Sequence, residues 1–291
     1  MPILTSVSAF PTLRTNVFNQ KIPLVFLFAV ACFVMGAGPV QAQDRDILRQ
    51  MEKAPLGNTD KVSDGDWRVV LGAGVGIVPK YAGSDEFTAS PIPLIDITWR
   101  DRVFLNPRQG LGAYAIRTER FCLGVSVGYG AGRDQDDADR LRGLGDIDPA
   151  ARGHLFGSYS MGPVILHADI SQDFGGSDGL QIEPGATLML PLSESVSLST
   201  GLSATWASSD YMDAFFGVSG AQSARSGLPV YEASSGIKRA DLKLAATWNV
   251  TEHWFATANA GVGYLLGDAA DSPIVESEAQ PSFGFLLGYR F

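Results

Sequence analysis

From Trp67 to the end of the chain, apolar side chains recur at every second residue, and the residues between them are largely small or polar. In 196–206 one face carries Val196, Leu198, Thr200, Leu202, Ala204 and Trp206, and the other carries Ser197, Ser199, Gly201, Ser203 and Thr205. The same holds in 240–248, where Ala240, Leu242, Leu244, Ala246 and Trp248 oppose Arg239, Asp241, Lys243, Ala245 and Thr247. A period of two is that of a β-strand. With glycine and hydroxyl residues on one face and aliphatic and aromatic residues on the other, these strands suit a wall with lipid outside and a lumen inside. A soluble sheet with such an outer face would aggregate.

The closing segment Pro281–Phe291 fits the same wall. Phe283, Phe285, Leu287, Tyr289 and the terminal Phe291 share its apolar face, and Ser282, Gly284, Leu286, Gly288 and Arg290 share the other. A terminal strand of this kind is the expected point of contact for the barrel-assembly machinery, through Phe291. In 254–266 the expected lipid face runs from Trp254 through Ala256, Ala258, Ala260, Val262 and Tyr264 to Leu266, against Thr257, Asn259, Gly261 and Gly263. Trp254 and Tyr264 lie about 33 Å apart along a strand. A tilt of about 40 to 45° projects this to roughly 25 Å, the height of the apolar band between aromatic girdles. Trp248, Trp254 and Tyr289 then mark the periplasmic girdle, and Trp206 and Tyr264 the outer one.

Connections alternate in length. Brief turns fall at 100–102, 117–120, 161–163, 191–195 and 249–253, and longer or more irregular ones at 79–86, 107–109, 131–152, 173–179, 208–235 and 267–280. Short periplasmic turns and longer outer loops are the rule in such barrels. The pattern predicts an all-β, antiparallel up-and-down transmembrane barrel of twelve strands over 66–291, with both termini periplasmic. Two brief strands around Asn106-Pro107-Arg108 are the least distinct, and counting them as none leaves ten.

The start of the chain gives an address. Arg14 and Lys21 precede an apolar run from Ile22 to Met35, and Val40-Gln41-Ala42 offers small residues before Gln43, so 1–42 reads as a cleaved signal peptide. Cys32 follows Ala29-Val30-Ala31, but the apolar run continues past it, which favours ordinary cleavage over lipidation. Residues 43–65 are polar, with Ile47, Leu48 and Met51 as a single apolar turn, and read as a periplasmic segment. Removing 1–42 takes two basic and no acidic residues, leaving 20 Lys plus Arg against 31 Asp plus Glu, a net charge of -11. Such a surface repels nucleic acid. The one remaining cysteine, Cys122, excludes an internal disulfide and a thiolate metal site.

No catalytic, cofactor or metal residue is assigned. His154, His167 and His253 have no metal-ligand spacing. His167 shares a face with Asp169, Ser171 and Asp173, but successive same-face positions lie about 6 to 7 Å apart, and a polar lumen explains them without hydrolysis. Loop 131–152 carries Asp134, Asp136, Asp137, Asp139, Asp146 and Asp148 among Arg133, Arg140 and Arg142. It lacks the spacing of a calcium loop and reads as a solvated, self-paired loop and not a cation site beside lipopolysaccharide. Loop 208–235 holds Tyr211, Phe215, Phe216, Leu228 and Tyr231, too apolar for solvent, and is expected to fold into the barrel mouth.

Several segments resemble the MipA/OmpV family, named for the MltA-interacting protein of the outer membrane. They are Pro79-Lys-Tyr-Ala-Gly-Ser84, Gly132-Arg133 with Leu141, Leu144-Gly-Asp-Ile147, Tyr211-Met-Asp-Ala-Phe-Phe-Gly-Val218, Ser226-Gly-Leu228, Ser272-Pro-Ile-Val275 and the terminal strand. Together they span nearly all of 66–291, and their order and spacing carry the resemblance. It implies a non-enzymatic protein of the bacterial outer membrane that holds a lytic murein transglycosylase and a penicillin-binding murein synthase together. Family members have also been linked to adhesion and to antibiotic or osmotic responses. The residues themselves leave two other readings open: a small-solute pore, from the Ser/Gly/Thr face, and a hydrolase using His167 or His154.

Overall fold

A computed structural model describes residues 66–291; the expected signal peptide and the 43–65 segment lie outside the described residues. Twelve antiparallel strands close into a barrel in which each is bonded to its sequence neighbours and the first to the last. They are β1 (Trp67–Pro79), β2 (Phe87–Trp99), β3 (Val103–Asn106), β4 (Gly110–Arg117), β5 (Phe121–Gly130), β6 (Ala150–Met161), β7 (Val164–Phe174), β8 (Leu180–Pro191), β9 (Val196–Ala207), β10 (Gly236–Asn249), β11 (Trp254–Leu265) and β12 (Ala279–Arg290). Two short helices, α1 (Ser209–Phe216) and α2 (Gly220–Ser226), lie between β9 and β10. The closing seam runs from Val70 opposite Arg290 to Ile77 opposite Phe283. Apart from the three-residue β3–β4 connection, short turns cluster at one end of the barrel and longer connections at the other, as the sequence pattern requires.

The alternation resolves into an outside and an inside. Val75, Ile77, Leu202, Leu244, Phe283, Phe285 and Leu287 are exposed, while Ser126, Ser282, Thr247 and Thr257 face inward and are buried. Removing that outer apolar surface from water is what drives such a wall into a bilayer. Aromatic rings mark the turn end: Trp67 lies 6.1 Å from Trp99, and Tyr289 lies 5.0 Å from Trp254 and 4.7 Å from Phe291. Phe87, Tyr129, Phe174 and Tyr264 stand exposed toward the loop end. Tyr264 matches its expected girdle place, whereas Trp206 is half-buried.

β3 is short for a local reason. Asn106 Oδ1 accepts a hydrogen bond from the Gln109 amide at 2.8 Å, and Pro107 suits the turn that follows but not a continuing strand. β3 pairs with β2 only from Ile97/Leu105 to Trp99/Val103, yet those three pairs complete the ring.

The lumen departs from the expected Ser/Gly/Thr lining. Along β1, β2, β11 and β12 an apolar wedge of Val70, Val78, Ile92, Leu94, Phe255 and Leu286 is buried inside the barrel. Glycine makes the room: a Cβ on Gly288 would stand 2.3 Å from the Phe255 ring. A second inward group joins Phe104 to Tyr114 at 4.8 Å and to Phe156 at 5.6 Å. Leu265 is also buried, and β11 ends there, so the alternation expected to reach Leu266 stops one residue earlier. Small inner residues admit large inner neighbours across the ladder, which is how part of the lumen becomes a packed core.

Candidate functional site: a lidded lumen

The loop end is covered by four connections that hold one another. Leading from β9, α1 buries Tyr211, Met212, Phe215 and Phe216 against Ala207, Ala233, Leu265 and Ala269. These positions recur at helical spacing on one side, giving the helix a single apolar stripe. Ser219 and Gln222 form a reciprocal capping box that starts α2, and Gly227 ends it at φ 78°, a left-handed conformation that favours glycine. A second cluster unites Tyr81, Leu141, Leu144, Val218, Leu228 and Ile274 from all four connections. The apolar residues of loop 208–235 thus fold into the mouth, as their composition predicts.

Hydrogen bonds lock the lid through groups that a helix end leaves unpaired. Arg133 Nη1 donates to the Phe215 carbonyl at 2.8 Å, and the Ser272 hydroxyl donates to the Phe216 carbonyl at 2.6 Å. Tyr81 donates toward the Ile274 carbonyl and the Glu276 carboxylate, at 3.0 and 2.8 Å. Gln280 accepts from the Gly83 amide at 3.0 Å and donates to the Ser84 carbonyl at 3.2 Å. Burial pulls the Arg133 guanidinium down to about 10; its charge persists at neutral pH, and the Phe215 carbonyl accepts from it. The acidic loop ties itself down as expected: Asp134 accepts from the Asp136 amide at 2.8 Å, Asp146 from the Gln135 amide at 2.9 Å, and Asp139 pairs with Arg142 at 3.1 Å. Among the described residues, no three His, Cys, Asp or Glu side chains gather where a metal would sit.

The lumen also holds a small cavity of about 40 Å³, with His167, Thr187, Arg239, Asp241, Lys243 and Asn259 among the residues on its wall. Arg239 and Asp241 pair at 2.6 Å, and the Asn259 carbonyl oxygen meets no hydrogen-bond partner. The polar residues that share one face of β7 find partners across the ladder and not along the strand, as their spacing implies. Asp169 bonds His154 Nδ1 at 3.0 Å, His167 Nε2 approaches the Thr187 hydroxyl at 3.5 Å, and Asp173 belongs to Arg152. Ser126 stands opposite His154, but its hydroxyl and His154 Nε2 are both buried and neither is hydrogen-bonded. No hydroxyl among the described residues bonds His154 Nε2, and the hydroxyl that meets His167 is Thr187, at the long limit of a hydrogen bond. Spacing along one strand hides the His154–Asp169 pair, which only the β6–β7 register reveals.

The Arg152–Asp173 pair is buried, with side chains 7% and 4% exposed. Arg152 Nη2 donates to Asp173 Oδ2 at 2.9 Å, and Ser177 donates to the same oxygen at 2.8 Å. Asp173→Asn leaves a buried guanidinium without its counter-charge and is expected to cost about 3 to 5 kcal/mol. Urea unfolding of the refolded barrel in vesicles checks it; an unchanged midpoint would show that the lumen hydrates Arg152.

A closed, girdled barrel with a lipid-facing exterior, a packed inner wedge and a folded lid is a protein of the bacterial outer membrane. The chain belongs to the MipA family: the sequence model described as MltA-interacting protein MipA matches residues 71–291. The MltA-interacting protein of Escherichia coli strain K12 is 23% identical over 233 residues, covering 79% of this chain and 93% of that protein. Solved barrels are more distant. The translocator domain of the autotransporter NalP from Neisseria meningitidis covers 86% of this chain and 96% of its own, at 14% identity and a TM-score of 0.41. The outer-membrane channel DcaP of Acinetobacter baumannii covers 77% and 96%, at 7% identity and a TM-score of 0.37.

Proposed function

We propose that this protein is a non-catalytic scaffold that holds peptidoglycan-remodelling enzymes, a murein transglycosylase and a synthase, against the outer membrane. Family membership across the whole barrel carries the reading, since the relative in Escherichia coli is named for its interaction with MltA. The reading places the turn end in the periplasm. There, Arg100 and Asp101 adopt left-handed backbone at φ 50° and 53°, a conformation uncommon outside glycine. Arg100 pairs with Asp66 at 3.0 Å, and Asp101 receives Arg68 at 3.3 Å and Arg117 at 3.8 Å. Rigid turns with exposed charge suit a docking platform better than mobile loops do.

The test is recovery of partners from detergent extracts on the full-length protein. A transglycosylase and a murein synthase are expected to co-purify, and charge reversal of Arg100, Arg102, Arg117 and Arg120 to Glu is expected to lower their recovery about tenfold or more. Recovery of neither enzyme would remove the reading. Lipopolysaccharide and the barrel-assembly machinery are the remaining proposed contacts, the first at the lipid face and the second at Phe291.

A further inference from the structure

The wall is not equally complete all the way round. All thirteen residues of β2 pair with β1, but only Ile97, Thr98 and Trp99 pair with β3. From Phe87 to Asp96 no strand among the described residues pairs with the other edge of β2. The β3–β4 hairpin turns back at Asn106–Gly110, and above its tip the next wall is the upper part of β5, whose Gly128 to Gly130 pair with β6 alone. The result is a notch in the lipid-facing wall, open toward the loop end.

The direction of the β2 backbone groups follows from bonds at its ends. Arg100 N–H donates to Asp66 on the β1 side, Arg102 N–H donates to the Trp99 carbonyl on the β3 side, and Lys80 N–H donates to the Glu86 carbonyl. Even-numbered residues thus address β1, and odd-numbered residues address the notch, because N–H and C=O of one strand residue point the same way. The odd residues within the open span are Phe87, Ala89, Pro91, Pro93 and Ile95. Two of these five, both in its middle, have no N–H to leave unpaired.

Water does not reach this edge from behind. Ile92 and Leu94 on the inner face of β2 are 2% and 5% exposed, and Phe104 on β3 is 1% exposed. Outside, the flanking Val75, Ile77, Leu111 and Val127 face lipid. An unmet donor in hydrocarbon is costly, whereas an under-satisfied carbonyl is tolerated more readily. Proline also refuses a ladder, so the edge rejects an added strand from another chain.

We propose that the notch between β2 and β5 is a seat for a hydrocarbon chain of a membrane lipid, with Pro91 and Pro93 forming its donor-free side and the Asn106–Gly110 hairpin its floor. The seat makes one vertical strip of the barrel surface a lipid-binding groove where elsewhere the ladder presents a closed wall.

The experiment is amide NMR of the full-length protein, perdeuterated, in nanodiscs whose phospholipid chains are protonated. The Ala89 and Ile95 amides are expected to show cross-peaks to chain methylenes and no exchange with water. Water exchange at either amide would overturn the proposal, as would cross-peaks showing that another part of the protein fills the notch. Pro93→Val supplies a second measurement: restoring an N–H that faces hydrocarbon is expected to lower the folded-to-unfolded ratio in vesicles about tenfold. A neutral or stabilised Pro93→Val protein would mean that the edge is hydrated or paired.

Discussion

Excision of residues 209–234, with Ser208 joined to Ser235 through Asn-Gly, is expected to raise the ionic conductance of the refolded barrel in planar bilayers about tenfold or more. Ala207 already lies opposite Gly236 across the β9–β10 ladder, so a tight hairpin bridges the gap without moving either strand. The excision removes α1 and with it Tyr211, Met212, Phe215 and Phe216, the body of the larger lid cluster. It also removes the carbonyls that Arg133 and Ser272 bond. Arg133, buried and bonded to the lid through Phe215, is then free to hydrate, and loop 131–149 loosens with it. The polar side of the lumen, with Arg239, Asp241 and Lys243 on the cavity wall, becomes continuous with solvent at the loop end. Arg133→Ala is the graded version: it deletes one lock and leaves the apolar packing, so brief openings and not a steady current are expected. Silence from the excised barrel would mean that lumenal packing alone seals it, with the Phe255 wedge as the barrier. A large current from the intact protein would instead favour a pore over a closed scaffold.

The wall was legible in the sequence because lipid imposes its own period. Every second residue on the outside must be apolar whatever its neighbours are, so single-strand alternation names Val75, Leu202, Leu244 and Phe285 correctly. Turn positions were legible for a related reason, since each short run of turn residues must interrupt two such strands. The interior obeys no rule of that kind. Phe255 packs inward because Gly288 stands directly across the β11–β12 ladder, and His154 meets Asp169 because β6 and β7 pair with a particular offset. Those partners are far apart in sequence, and register decides them. The lid falls between the two cases: the apolar residues of 208–235 announce that the loop must be buried, but the Arg133–Phe215 lock joins positions whose sequence neighbourhoods say nothing of each other. The open edge of β2 is similar. Pro91 and Pro93 are visible in the sequence, and they acquire meaning only once β3 is known to stop at Asn106.

Gly74→Val is expected to prevent closure of the barrel, lowering the yield of folded, heat-modifiable protein about tenfold or more. Gly74 lies midway along the seam, opposite Leu286 of β12. A Cβ there would stand 2.2 Å from the Phe285 carbonyl oxygen and 3.0 Å from Leu286 Cα. Both are backbone atoms of the closing strand, so no rotamer change gives relief and the strands themselves must separate. Gly72 is held the same way, its Cβ position 2.4 Å from the Leu287 carbonyl oxygen. The seam is also where Phe291 N–H donates to the Val69 carbonyl at 3.0 Å, which ties the end of the chain to its first strand. Spreading β1 from β12 breaks a ladder that has no substitute in hydrocarbon, and each broken pair exposes donors to lipid. Gly220→Ala in α2 is the matched control, because nothing lies within 4 Å of the added methyl group. Normal folding of Gly74→Val would show that the seam has slack, and the inward glycines of β1 would then serve the Phe255 wedge and not closure. Failure of Gly74→Val beside a normal Gly220→Ala protein would place the requirement at the seam, where the same terminal strand that faces lipid through Phe283, Phe285 and Leu287 has to meet bare backbone on its inner side.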